Sequence, residues 1–172
     1  MADPGDPGGG RPRVAPVEIR FEVAVAADVE QTWAAGTDWD RQGEWMLGTR
    51  VRGTEQGGRG VGGGIRAVTG IGPVGIVDTM VITKWTPPHA CAVRHTGRFV
   101  RGTGTFEVVE RPSGATFVWS EQLDLPFGAV GRFGWRFAAP PFEWALRRSL
   151  RGFAAWAADY RSADPGSERG RG

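Results

Sequence analysis

Four stretches of alternating apolar and polar residues, each closed by a turn signal, run in unbroken succession from residue 74 to residue 125. VGIVDTMVITKW (74–85) is followed by the breaker PPH, ACAVRHTG (90–97) by RFVR, and GTGTFEVVE (102–110) by RPSG; ATFVWSEQLDL (115–125) completes the series. Alternation with period two marks strands with one buried face. Connections this short join only antiparallel neighbours, because a parallel pair needs a crossover of about a dozen residues. The stretch therefore reads as an antiparallel meander.

The flanking sequence extends this pattern. In VEIRFEVAV, Val17, Ile19, Phe21, Val23 and Val25 alternate with Glu18, Arg20, Glu22 and Ala24, which predicts another strand. Asp28 is placed to cap a short helix containing Val29, Trp33 and Ala34, with Gly36 as its stop. A second short helix is expected in DWDRQGEWML from Asp38. TRVRGTEQGGRGVGGGIRAVTG (49–70) reads as two strands around a glycine-rich turn; no Gly-Lys-Ser/Thr follows, so it is not a phosphate loop. Phe142, Leu146, Ser149, Leu150, Phe153, Ala157 and Tyr160 recur at helical spacing and predict a long amphipathic helix over about 141–160, with Pro140 and Pro141 at its entrance. The order is α+β, and the long helix is the one large element available to cover the sheet. The domain spans 17–161, between Pro-, Gly- and charge-rich tails, 1–16 and 162–172, expected to be disordered.

Composition narrows the function classes. The net charge is +2, Lys84 is the only lysine, and the arginines are scattered, which argues against a nucleic-acid-binding face. Arg147, Arg148 and Arg151 read as the solvated face of the long helix. The N-terminus lacks an apolar signal core, no run of about 18 apolar residues offers a membrane span, and the single Cys91 fits a reducing, cytoplasmic setting. The most apolar region, 127–146, is interrupted by Arg132, Arg136, Glu143 and two prolines; it reads as a cover over the core, with transient membrane contact as the alternative. No Gly-x-Ser-x-Gly elbow exists, and Cys91 has no evident activating base. Cys91 and His95 lie about 13 Å apart along one strand, too far to share an ion. No metal or cofactor is expected.

Turns placed at Thr86–His89, Arg98–Arg101 and Arg111–Gly114 set a register. Met80 then faces His95, Ile82 faces Val93 and Lys84 faces Cys91. His95 faces Gly104 and Val93 faces Phe106; Gly104 faces Glu121, Phe106 faces Trp119 and Val108 faces Phe117. Ile82, Val93, Phe106, Val108, Phe117, Trp119 and Leu123 share the core face, while Thr79, Thr83, Arg94, Thr96, Thr103, Thr105, Glu107, Thr116, Ser120 and Gln122 share the solvated one. His95, Asp78 and Glu121 fall on the core face. Gly104 leaves space for His95 and Glu121 to meet, and Asp78 is a diagonal neighbour of His95. A buried carboxylate needs a partner, and a histidine supplies one. Three readings stay open: a pair that satisfies itself within the sheet, an anchor for a ligand's polar end, or an acid/base pair.

The strand ending KWTPPHACAVRHTG, the RGTGTFEV strand and the RRSLRGFAAW helix, in this order of elements, resemble the SRPBCC superfamily over about residues 17–160. The resemblance is strongest to its polyketide cyclase/dehydrase and lipid-transport branch. It implies the helix-grip (START/pollen-allergen-like) fold: a seven-stranded curved antiparallel sheet around the long C-terminal helix, with two short helices after the first strand and a deep apolar cavity. In such a cavity Met80, Ile82, Val93, Phe106, Phe117 and Trp119 of the sheet would face Phe142, Leu146, Ser149 and Phe153 of the helix, with Trp33, Trp45 and Met46 at the mouth. Members of this group include cyclases, hydroxylase components, sterol and lipid carriers and plant allergens, and no catalytic motif carries over to this chain. The expected role is to bind or carry a hydrophobic small molecule (lipid, polyketide or aromatic). The alternatives are a polyketide cyclase or dehydratase using His95 and Glu121, or a protein-interaction module with a closed cavity.

Overall fold

The computed structural model describes residues 16–71, 74–98, 100–124 and 129–161, so the expected tails, Pro16 apart, lie outside the described residues. The elements are β1 (Val17–Val25), α1 (Val29–Gly36), a 3-10 helix (Trp39–Glu44), β2 (Thr49–Gly53), a 3-10 turn (Glu55–Gly58), β3 (Gly64–Ile71), β4 (Val74–Thr86), β5 (Ala90–His95), β6 (Gly102–Arg111), β7 (Gly114–Leu123) and α2 (Ala129–Ala158). All seven strands form one curved antiparallel sheet in the order β1-β7-β6-β5-β4-β3-β2. β1 closes against β7, from Val17 opposite Leu123 to Val25 opposite Ala115.

The concave face and α2 enclose the core. Phe117 of β7 and Phe153 of α2 are fully buried, with ring centroids 4.4 Å apart, and Trp45 packs on Phe153 at 4.8 Å. Burying an aromatic pair of this kind is worth several kcal/mol (about 3–5 by truncation to alanine), so this contact seats the helix. Two polar clamps fix its angle. Gln31 of α1 donates to the carbonyls of Ala157 and Ala158, capping the end of α2. The Ser149 hydroxyl accepts from the Leu47 N–H at 3.0 Å and donates to the Ala145 carbonyl at 2.8 Å.

Several sequence expectations need correction. The long helix begins at Ala129, not near 141, and Pro140 and Pro141 lie inside it. Both prolines are exposed, so water can serve the carbonyls their missing N–H groups leave open, while Trp135 upstream packs on the core and on Phe142 at 5.6 Å. The second short helix is present where expected, as a 3-10 segment with Asp38 at its N-cap position. Lys84 does not face Cys91: a bulge between Ile82 and Lys84 pairs Lys84 with Ala92 and Trp85 with Cys91. The bulge turns the lysine outward and carries Trp85 inward against Trp33, 5.0 Å away. The β5–β6 register is shifted by two residues, so His95 faces Gly102, Val93 faces Gly104 and Cys91 faces Phe106. The cause is the wider connection after His95, where the Thr96 N–H turns back to the Thr79 carbonyl of β4 at 2.7 Å. A two-residue shift preserves faces, so every core assignment survives it. On the convex face, Thr116 is buried rather than solvated, as is its neighbour Val118. Val118 lies opposite Glu22 and Glu107, and Arg20 bridges both carboxylates at 3.0 and 3.6 Å.

Candidate ligand-binding site

Four strands assemble one polar cluster on the concave face. His95 ends β5, opposite Met80 of β4. Asp78 lies two residues before Met80 and so shares its face. Glu121 sits on β7 opposite Gly104 of β6. The Glu121 side chain crosses β6 through the space the glycine leaves: a Cβ on Gly104 would stand 2.9 and 3.0 Å from the two carboxylate oxygens. The crossing brings Glu121 Oε2 to 2.9 Å from His95 Nε2, while Asp78 Oδ2 lies 2.7 Å from His95 Nδ1. The Trp119 indole N–H donates to the other Glu121 oxygen at 2.6 Å. Side-chain exposure is 5% for His95, 10% for Glu121 and 16% for Asp78, so the cluster is largely removed from water.

Its charge state follows from these contacts. Burial disfavours a charged imidazole, but the hydrogen bonds to Asp78 and Glu121, reinforced by their negative charge, outweigh it and raise His95 from 6.5 to about 9. At neutral pH both ring nitrogens therefore donate. One imidazolium between two carboxylates leaves the cluster with a surplus negative charge. Three buried side-chain polar atoms have no partner among the described residues: Asp78 Oδ1, an acceptor, the Trp45 indole N–H, a donor, and the Thr116 hydroxyl on the convex face. Trp45 stands edge-on to Trp119, with centroids 6.4 Å apart.

The structure thus brings Asp78, His95 and Glu121 together. Of the expected apolar wall, Trp33, Trp45, Ile82, Val93, Phe117, Leu146 and Phe153 are buried in the interlocked core, while Met46, Met80, Phe106 and Trp119 pack against it half-buried. Phe142 is 39% exposed and faces Trp135. The Ser149 hydroxyl is committed to Leu47 and Ala145. Burial pushes the Cys91 thiol up to about 12, which keeps it protonated and unreactive. Sequence reasoning missed the Trp119–Glu121 bond, although residues two apart on one strand always share a face. A cavity of about 410 Å³ opens beside Val17, Phe133, Trp135 and Arg136. It adjoins the end of the concave row formed by Met80, His95, Gly102, Leu123 and Val17. A second, of about 660 Å³, lies at the opposite end of the sheet, between Ala26–Glu30, His89 and Glu110–Gly114.

Among curated proteins no sequence matches this one. Solved structures share its fold. TTHA0849 from Thermus thermophilus superposes with a TM-score of 0.69 at 13% identity, covering 82% of this chain and 97% of that one. The Zhui aromatase/cyclase from Streptomyces sp. R1128 gives 0.66 at 15% identity, covering 82% and 93%. The di-domain aromatase/cyclase StfQ of the steffimycin biosynthetic pathway gives 0.64 at 14% identity; the match covers 83% of this chain and 51% of StfQ. The family model described as polyketide cyclase / dehydrase and lipid transport matches residues 16–158, nearly the whole domain. The chain belongs to the polyketide cyclase/dehydrase and lipid-transport family.

Proposed function

We propose that this protein binds a hydrophobic small molecule between the concave face and α2, and that the Asp78–His95–Glu121 cluster holds a hydrogen-bond-donating end of it. The observation that carries this reading is the cluster itself, a charged network set among aromatic side chains. Where stability alone is served, a buried ion network is matched or exceeded by well-packed apolar residues of similar volume. Asp78 Oδ1 adds a buried acceptor without a partner among the described residues, the position a ligand hydroxyl would fill. Met80, two residues from Asp78 on β4, and Trp119, bonded to Glu121, are half-buried next to the cluster and offer apolar contact for the body of the molecule, with Phe106 further along the concave face against Trp119. The surplus negative charge selects against carboxylates and other anions. A phenol, enol or alcohol fits the site; a fatty acid does not.

The cyclase or dehydratase reading uses the same residues differently. A general base needs a free lone pair, and both nitrogens of His95 are engaged. In this geometry the open proton acceptor is Asp78 Oδ1, so any acid/base step belongs to Asp78 with His95 as its positioning partner.

The test compares 2-naphthol with 2-naphthoate by calorimetry and native mass spectrometry on the full chain. The expected result is near-unit stoichiometry for the naphthol, at least about tenfold weaker binding of the naphthoate, and loss of that preference in Asp78→Asn. Equal binding of both, or binding of neither across a panel of neutral hydroxylated aromatics and sterols, overturns the reading.

A further inference from the structure

The outward side of α2 has a composition that a water-facing helix does not need. Phe133, Phe137 and Trp144 are 65%, 71% and 61% exposed. Trp135, Leu146, Leu150 and Phe153 turn the other way, into the core. At about 100° per residue, Phe133, Phe137, Trp144, Arg148 and Arg151 fall within a stripe roughly 60° wide and about 27 Å long. Arg136, Arg148 and Arg151 are all exposed. The helix carries five arginines (132, 136, 147, 148 and 151) against one acid, Glu143. That acid is taken up by Arg147 at 3.7 Å, and Arg147 itself lies over the Phe21 ring at 4.5 Å. Aromatic tips therefore occupy one half of the stripe, and cations that the helix's single acid does not neutralise occupy the other.

We infer that α2 docks on an anionic lipid surface through this stripe, its aromatic half entering the interface and its arginines meeting lipid phosphates. The charge pattern selects this occupant. A second copy of the chain would set these arginines against their own kind, with Glu143 the one acid of the helix to relieve them. A phosphate layer satisfies all of them, and an amphipathic helix with a cationic face lies in such an interface. No helix of the described residues is long and apolar enough to cross a membrane, so α2 lies on the surface. Phe133 and Arg136 also rim the cavity of about 410 Å³, so docking brings that opening to the lipid. Its use as a ligand entrance rests on the binding reading above; the docking does not.

The experiment is co-sedimentation of the full chain with vesicles of phosphatidylcholine alone and of phosphatidylcholine mixed with phosphatidylglycerol. The anionic vesicles should bind on the order of ten- to a hundredfold more strongly, and raised salt should erase most of the difference. The double variant Phe133→Ser/Trp144→Ser should lose about tenfold in binding, and Arg148→Glu/Arg151→Glu should lose the anionic preference, both with unchanged melting curves. Absence of binding to anionic vesicles, or binding the variants leave intact, overturns the inference. So does a dimer in sedimentation velocity that the same substitutions dissociate, which would make a second copy the occupant. Naphthol binding, measured in parallel without vesicles, reports on the ligand reading alone, so failure of either is read separately.

Discussion

Glu121 reaches His95 by lying across Gly104, close enough that a single added methyl would meet both carboxylate oxygens. The two polar side chains stand on strands separated by β6, and their contact depends on the residue between them having no side chain. Gly104→Ala should therefore leave the sheet intact and displace the flexible end of Glu121. The expected consequences are a His95 pKa lower by a unit or more, read by NMR titration of the imidazole, and a stability loss of roughly 1–2 kcal/mol. An unchanged His95 titration would show that Glu121 is not the partner that holds the charge.

The raised His95 value predicts a pH dependence of stability. A group whose folded pKa of about 9 exceeds its unfolded value of 6.5 contributes fully below about pH 6.5, and that contribution is lost as pH rises through 9. The separation converts to roughly 3 kcal/mol. The buried Cys91 thiol, pushed up to about 12, adds its own decline, but only above about pH 9. Urea unfolding between pH 6 and pH 9 should thus show stability falling in the wild type and nearly flat in His95→Gln. If that variant does not fold, direct titration of His95 in the wild type gives the same answer; a midpoint near 6.5 contradicts it.

The fold was legible in the sequence because its strongest signals were periodic and local. The alternation from Val74 to Leu123 set the strands and their faces, and the polar row followed from those faces. Local pattern could not show where two backbones make a long-range choice. The β5–β6 slide depends on Thr96 bonding to Thr79 on a neighbouring strand, and the bulge at Thr83 on the cost of burying Lys84. The helix start was misplaced because Pro140 and Pro141 resemble entry signals, while the packing of Trp135 that sustains the helix upstream is tertiary. Which apolar residues would interlock and which would stay half-buried depended on ring packing that spacing does not encode.

Ser149 separates a structural role from a binding one. Both halves of its hydroxyl are committed, to the Leu47 N–H and the Ala145 carbonyl, and the residue is buried. Ser149→Ala should cost about 1–2 kcal/mol by leaving the Leu47 donor unsatisfied, with naphthol affinity unchanged within about twofold. Chemical denaturation paired with calorimetry checks both; a large drop in affinity at unchanged stability would return Ser149 to the ligand wall.

Cys91 tests whether the core beneath the cluster is closed. It faces Trp85 on β4 and Phe106 on β6, is 1% exposed, and has its thiol pushed up to about 12 by burial. A thiol in that state is neither ionised at neutral pH nor reachable by a bulky disulfide reagent. Labelling of the native protein should therefore follow unfolding of the sheet, slowing with added stability and accelerating with denaturant. Labelling within seconds in native buffer, at a rate insensitive to denaturant, would show that reagent reaches the centre of the concave face through an open channel, and would place the ligand space deeper than the half-buried ring of Met80, Phe106 and Trp119.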